Sequence, residues 1–185
     1  MKQSASRAVL SITSMVGSCF LGACASREES APTFETSKLG AMERVHSFDG
    51  IYLASQPAPD DLKAAKEAGV KTVLNLRRKD EVVDWDEKVV AEALGLEYDS
   101  VPFGAATELT DDIFDETRRI LRDSAKRPIL VHCASANRVA AVWLAYRVLD
   151  GGVPLDAALE EAKTAGLKTS AFEEKAKAYI EKQRK

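Results

Sequence analysis

The run "PILVHCASANRVAAVWLAYRVL", Pro128 to Leu149, places His132 and Cys133 at the end of a short apolar segment, with Arg138 five residues after the cysteine. These residue types suit thiolate chemistry on an anion. An ordinary thiol, with a pKa near 8.5, is mostly protonated at neutral pH; a helix N-terminus or a nearby cation brings such groups to about 3.5–7.5. Successive backbone N–H groups in a loop that opens a helix converge on an anion, and the helix dipole adds to them. The dipole alone, at up to ~2 kcal/mol against ~1.4 kcal/mol per pKa unit, would about half-ionise a thiol at pH 7. Fuller ionisation needs Arg138, His132 and direct N–H contacts. The competing reading of Cys133 is a small, inert core residue.

The flanking segments supply the setting this chemistry needs. "ILVH" reads as a strand buried on both faces. The helix from Arg138 to Leu149 is apolar almost all round, with Arg147 as its only other charge, and belongs in a core. Upstream, strand and helix patterns alternate: "GIYLAS", "PDDLKAAKEAG", "VKTVLNL", "DWDEKVVAEALG" and "LEYDSVP", then a helix "DDIFDETRRILRDSA" capped by Thr110. Downstream, a helix spans Leu155 to Ala165, and Ser170 with Glu173 predicts a capping box for the last one. This alternation predicts an α/β fold, a three-layer domain with a short, mostly parallel sheet. Cys133 then lies at the carboxyl end of a central strand, where ligands bind in open α/β sheets, in a Cys-loop-Arg segment between that strand and a buried helix.

The start of the chain points to export. Lys2 and Arg7 precede a diluted apolar stretch from Ala8 to Ala23, and no acidic residue occurs before Glu28, the pattern of a secretory signal peptide. The stretch ends "LGAC", which resembles the bacterial lipobox, so Cys24 is expected to carry lipid and to become the mature N-terminus. The division expected is a signal peptide over 1–23, a lipidated Cys24 with a polar tether over 24–45, and a domain over 46–185. The product would be an exported lipoprotein held at a membrane, periplasmic or outer-membrane in a Gram-negative cell. Cys19 leaves with the signal and Cys24 is modified, so Cys133 is the one free thiol of the mature chain. Loss of Lys2 and Arg7 leaves 24 basic residues against 29 acidic ones. Nothing basic clusters on the scale a phosphate backbone demands, so no nucleic-acid partner is expected. No His, Cys or carboxylate cluster has metal-ligand spacing, and no cofactor or metal is expected.

At "HCASANR" the sequence resembles the protein tyrosine phosphatase-like superfamily, in which a His-Cys pair leads a loop closed by an arginine. Further segments are similar to the small bacterial dual-specificity-like branch that includes the phosphatase-like domain of beta-lactamase hydrolase-like proteins: "SQP" at Ser55 to Pro57, "LNLR" at Leu74 to Arg77 and "GLEYDSVP" at Gly95 to Pro102. The resemblance spans about Phe48 to Lys182. It implies a Cys133 nucleophile, an Arg138 that grips the substrate oxyanion in a planar fork, and a cradle of amides from Ala134, Ser135, Ala136, Asn137 and Arg138. Arg77 would line the site and bind substrate, although the adjacent Arg78 and Lys79 also suit a solvated turn, and Gln56 would lie near the loop.

The sequence departs from the phosphatase pattern in four places. The loop has four residues between Cys133 and Arg138 where the superfamily has five, a length typical of rhodanese-type sulfurtransferases. Ala136 replaces the usual glycine, at a cost of about 1 kcal/mol or more if φ there is positive. The segment "VPFGAATELT" lacks the aspartate used as general acid, leaving Glu108 or Asp111 as substitutes. Val139 follows the arginine in place of Ser or Thr. Three functions therefore stand: a thiolate phosphatase acting on a phosphate ester, a sulfurtransferase passing a sulfane sulfur through a Cys133 persulfide, and a non-catalytic anion-binding domain. His46 reads as a surface residue of the tether junction, and Trp85, Trp143 and Tyr146 read as packing residues. If Cys24 is lipidated, the protein fractionates with membranes and Cys24→Ser moves it to the soluble fraction; retention of the variant at the membrane would overturn the lipobox reading.

Overall fold

The computed structural model describes residues 32–81 and 83–185, and Pro32–Lys185 form one compact unit. The expected signal segment over 1–23, Cys24 and the first part of the expected tether lie outside the described residues. Six strands form one sheet: β1 (Glu35–Thr36), β2 (Val45–Phe48), β3 (Ile51–Ala54), β4 (Thr72–Asn75), β5 (Glu97–Ser100) and β6 (Ile129–His132). Their order is β1-β2-β3-β6-β4-β5. The first three run antiparallel, whereas β6 pairs parallel with β3 and β4, and β4 pairs parallel with β5. The helices are α1 (Pro59–Glu67), α2 (Glu87–Ala93), α3 (Asp111–Arg122), α4 (Asn137–Leu149), α5 (Leu155–Ala165) and α6 (Ser170–Gln183). This is the expected three-layer α/β architecture, with a mixed and mostly parallel sheet.

Strand parity builds the layers. Side chains alternate across a sheet, and Ile51, Leu74, Ile129 and Val131 join one core with residues of α3, α4, α5 and α6. Val73 and Leu130 join the other core, with Leu62 and Ala65 of α1 and Ala91 of α2. Every residue of β6 is buried, as a strand covered on both faces must be. The same alternation sends His132 toward the α1/α2 side and Cys133 toward α4.

Four expectations need correction. The fold begins before residue 46: Glu35 and Thr36 pair with Ser47 and His46, and Leu39 is buried in the α1/α2-side core. A two-residue strand held by backbone hydrogen bonds has no side-chain periodicity to reveal it. His46 is not a surface residue but a buried one in β2, stacked on Phe34 with ring centroids 5.3 Å apart. Helix α2 starts at Glu87 because Asp86 caps it, accepting from Val89 N–H at 3.1 Å. The capping box at Ser170 does not form; Thr169 is the N-cap without a side-chain bond, and Glu173 pairs with Lys177 instead. Thr110 caps α3 as expected, and Trp143 and Tyr146 are buried in the core.

Arg147 is the charge that the buried α4 has to accommodate. Its Nε and Nη2 donate to Glu161 of α5 at 2.6 and 2.9 Å, and its guanidinium lies 3.9 Å from the centre of the Phe48 ring. Removing one partner of a buried pair strands the other charge and costs about 3–5 kcal/mol, whereas replacing both with apolar groups can be nearly neutral. Glu161→Leu is therefore expected to destabilise by about 3 kcal/mol in urea denaturation, and Arg147→Met on top of it to recover most of the loss. A double variant no more stable than the single one would show that packing, not charge, sets the cost.

Candidate functional site: the Cys133–Arg138 loop

The loop after β6 is held from both ends. Gln56 N–H donates to Ala134 O at 3.4 Å, Ser135 bridges to Ser55, and Leu76 N–H donates to His132 O at 3.0 Å. Ala136 is the N-cap of α4 in the left-handed conformation, φ 66° and ψ −5°, and has no side chain with which to cap. The first helical bond of α4 runs from Ala140 N–H to Ala136 O at 2.9 Å. The amides of Asn137, Arg138 and Val139 thus have no acceptor within the helix, and the positive end of the dipole sits on them. The sequence-based worry over Ala136 is met in an unexpected way. A left-handed alanine costs roughly 1–2 kcal/mol, yet the fold makes room for it: a Cβ at Gly166 would come within 3.2 Å of the Ala136 Cβ. Asn137 contributes its amide only. Its side chain ties the loop to the α5–α6 connection, donating to Thr169 Oγ1 at 2.7 Å and accepting from Lys168 N–H at 2.8 Å.

Arg138 is 7% exposed, which makes the disposition of its five N–H groups decisive. Nη1 donates to Glu81 Oε1 at 2.5 Å and Phe103 O at 2.6 Å, with Leu76 O at 3.4 Å, and Nη2 donates to Glu81 Oε2 at 2.6 Å. The Nη1/Nη2 fork is spent on Glu81. Nε–H and one Nη2–H remain, which together form the other edge of the guanidinium and match two oxygens of a tetrahedral anion. Burial works against the charge of Arg138, but its hydrogen bonds to Glu81 and the electrostatic influence of Cys133 hold its pKa above the ordinary range. Conversely, Arg138 leads the groups that hold the Glu81 carboxyl down to about 2.

A second polar cluster supports the loop from the α1/α2 side. His132 is fully buried, and its Nε2 abuts Glu87 Oε1 without the direction of a hydrogen bond. Gln56 Nε2 donates to Glu87 Oε2 at 3.1 Å, and Asn75 Nδ2 donates to Tyr98 Oη at 2.7 Å. Burial pushes the Tyr98 hydroxyl up to about 12. Arg77 closes the circuit: Nη1 donates to Gln56 Oε1 and Nη2 to Glu81 O, both at 2.5 Å. Arg77 therefore braces the site rather than lining it. It faces a neighbouring depression of about 850 Å³, whereas Arg78 lines the one of about 400 Å³ over the loop, with Ser135, Asn137, Arg138 and Phe172.

The two substitutes considered for a general acid do not lie in that depression. Glu108 accepts from Gly104 N–H at 2.6 Å and from Arg78 Nη1 at 3.0 Å, and Asp111 pairs with Lys182. Among the described residues, Glu81 is the only carboxylate lining the depression over the loop. With its pKa near 2 it has no proton to donate at neutral pH. Glu81 and Glu87, the carboxylates that hold Arg138 and His132, escaped the sequence reading. Both lie in "RRKDEVVDWDEK", where nine charges of mixed sign look like a solvated surface; Glu87 also opens a helix, where an acid serves the dipole without any partner.

Fold and site together define a cysteine-loop-arginine domain of the tyrosine phosphatase type. The chain belongs to the family of the phosphatase-like domain of beta-lactamase hydrolase-like proteins, whose model matches residues 47–150. Among solved structures, a phosphatase candidate of Shewanella putrefaciens CN-32 superposes with a TM-score of 0.65 at 16% identity, covering 77% of this chain and 94% of that one. TpbA of P. aeruginosa, solved in complex with phosphotyrosine, gives 0.62 at 20% identity over 83% and 90%. The core catalytic domain of the PP-IP phosphatase SIW14 of S. cerevisiae, solved with citrate, gives 0.61 at 17% identity over 83% and 91%. No protein with a curated description matches the chain.

The Arg138–Glu81 pair has a definite pH signature. A carboxyl whose folded pKa lies below its ordinary 4.5 stabilises the fold fully above that value, and the contribution disappears as pH falls through about 2. The stability difference between the parent and Glu81→Gln, measured by urea denaturation, should be constant from pH 7 to about 5, shrink below 4.5 and vanish near 2. A difference that persists undiminished at pH 2, or that is absent at pH 7, would refute the pairing.

Proposed function

We propose that this chain is a cysteine-dependent phosphatase that hydrolyses a phosphate monoester through a Cys133 phosphoenzyme. One observation carries the reading. Arg138, which closes the loop opened by Cys133, stands at the uncapped start of α4 and has one guanidinium edge left over after Glu81 takes the other. A thiolate, a planar two-donor edge and a set of unspent amides together fit a phosphoryl group and its equatorial oxygens. The Cys133 sulfur attacks phosphorus while the alkoxide or phenoxide departs. Water then attacks phosphorus, the P–S bond breaks, the thiolate returns, and inorganic phosphate leaves with the water's oxygen. In this scheme His132, Glu87, Gln56 and Arg77 position the loop and do not touch substrate. That TpbA binds phosphotyrosine and SIW14 was solved with citrate, an anion, supports an anionic substrate here.

Two features of the site favour aryl over alkyl esters. The four-residue loop offers one amide fewer, and no protonatable acid lines the depression among the described residues. A general acid contributes about a hundredfold to ten-thousandfold, and a phenoxide needs it least. The same two features carry the second reading, a sulfurtransferase. In that reaction the Cys133 thiolate takes the sulfane sulfur of thiosulfate, sulfite leaves, and cyanide removes the sulfur as thiocyanate. For the chain as a whole, we propose export on the 1–23 signal and attachment to a membrane by lipid on Cys24, ahead of the phosphatase-like domain; the support for this is the leader and its "LGAC".

The test runs both chemistries on one preparation. Slow release of phosphate from an aryl phosphate is expected, abolished by Cys133→Ser, reduced about a thousandfold by Arg138→Ala, and at least a hundredfold slower for an alkyl phosphate. Addition of one sulfur mass to Cys133 by thiosulfate, reversed by cyanide, with aryl phosphate untouched, would replace the phosphatase by the sulfurtransferase. Reaction with neither reagent, while phosphate still raises the melting temperature by mass action, would leave a non-catalytic anion-binding domain.

A further inference from the structure

The Cys133 loop is flanked by a second depression, which shares Ser135 with the one beside Arg138. It measures about 500 Å³, has Ala134 and Ser135 along one side, and carries the apolar surfaces of Met42 and Trp85. Two cations line it, Arg44 from the segment before β2 and Lys168 from the α5–α6 connection. They differ from the three arginines nearest the loop. Arg77 and Arg138 share Glu81, and Arg78 pairs with Asp80 and Glu108. Neither Arg44 nor Lys168 belongs to any salt bridge among the described residues.

The carboxylates of this depression do not neutralise them. Asp61 is buried and spent on backbone, accepting from Ala41 N–H at 2.6 Å and Ala58 N–H at 2.9 Å. Glu43 is exposed and enters no salt bridge among the described residues. The charge of Arg44 is felt within the fold: after burial, it is the second cause that keeps His46 below its ordinary pKa. Lys168 does not stand on a free loop, since its N–H is bonded to Asn137 Oδ1 at 2.8 Å, at the first residue of α4. The backbone that carries one cation is thus tied to the helix that presents Arg138.

We propose that this depression is a subsite for a second anionic group carried on the leaving group of the substrate. Arg44 and Lys168 supply its recognition charges, and Trp85 and Met42 pack against the ring or chain that joins it to the scissile phosphate. The substrate class is then a phosphomonoester, aryl by preference, with a carboxylate or second phosphate a few bonds from the ester oxygen. A neutral aryl phosphate would leave Arg44 and Lys168 without a partner. This rests on the phosphatase reading, and the test separates the two.

Two pairs of probes differ by one charge while keeping the same phenol as leaving group. One pair is N-acetyl-phosphotyrosine and its amide; the longer pair is the N-acetyl-phosphotyrosyl dipeptide amide ending in Asp or in Asn. Phosphate release is measured on the parent protein, and binding of the same probes on Cys133→Ser. The anionic member of at least one pair is expected to show a three- to tenfold advantage in kcat/KM, arising in KM, with a matching advantage in binding. In Arg44→Gln/Lys168→Gln the ratio should fall to about 1, whereas Lys175→Gln, an exposed lysine of α6, should leave it unchanged. Raising the salt to about 1 M, where the Debye length is ~3 Å, should shrink the preference. A ratio near 1 in both pairs, or a preference that survives the double variant, overturns the subsite while leaving the phosphatase in place. Binding with charge preference but no turnover would instead refute the phosphatase and retain the subsite as one of a binding domain. Failure of every probe to bind removes both.

Discussion

The site depends on a guanidinium whose two edges serve different partners. Arg138 is buried, and a buried charge without a partner would be expelled or neutralised at a cost of several kcal/mol. Glu81 removes that cost through two hydrogen bonds, and Phe103 O takes a third N–H. Because this support approaches from the Nη1/Nη2 side, the Nε edge stays available to a ligand. A single carboxylate thus keeps the arginine charged and sets its orientation. The arrangement also fixes what Glu81 cannot do. A carboxylate held near pH 2 by that pair does not shuttle protons at pH 7, so the support of Arg138 and general-acid catalysis have to come from different groups.

The parity of β6 places the two kinds of polar residue on opposite faces of the sheet. His132 follows Leu130 toward α1 and α2, and there meets Glu87; Cys133 follows Val131 toward α4. Asn75 follows Val73 by the same rule and reaches Tyr98 and the surroundings of Glu87. The ionisable groups beneath the loop are therefore kept off the Cys133 side of the sheet, and Gln56 and Arg77 link them around the strand ends to Glu81. A shift of β6 by one residue would exchange the two faces and lose both clusters together. The requirement for that register is met by the parallel pairing of His132 with Ala54 on one side and Asn75 on the other.

Much of this was legible in the sequence, and the exceptions follow a pattern. Elements with a periodic or all-apolar signature, β6 and α4 above all, appear where the residues place them, as does the left-handed demand on Ala136. The elements that were misread, β1 and the buried His46, are held by backbone pairing and by a ring stack with a residue twelve positions away, for which no local spacing exists. The same holds at the site. Cys133, His132 and Arg138 are close in the chain and declare themselves. Glu81 and Glu87 act across 57 and 45 positions, from a segment whose mixed charges are also what an exposed turn would carry. Arg77 reads in the sequence as lining the site, whereas its bonds to Gln56 and Glu81 make it a brace of the loop.

Ala136 and Gly166 show how the shortened loop is tolerated. A turn with four residues between cysteine and arginine has to reverse sharply before α4, and the reversal falls on Ala136 at φ 66°. Glycine at that position would remove roughly 1–2 kcal/mol of strain, but it would also surrender a fully buried methyl worth about 0.8 kcal/mol and give the unfolded chain more freedom to lose. The second pair of effects offsets part of the first, provided the space the methyl needs is kept clear. Gly166 keeps it clear from the α5–α6 connection, the same connection that Asn137 ties down and from which Lys168 projects. The departure at Ala136 is therefore not evidence of a decayed site. It is matched by Gly166 thirty residues on, which leaves room for the Ala136 methyl, and the amides of Asn137, Arg138 and Val139 stay without an acceptor in the helix.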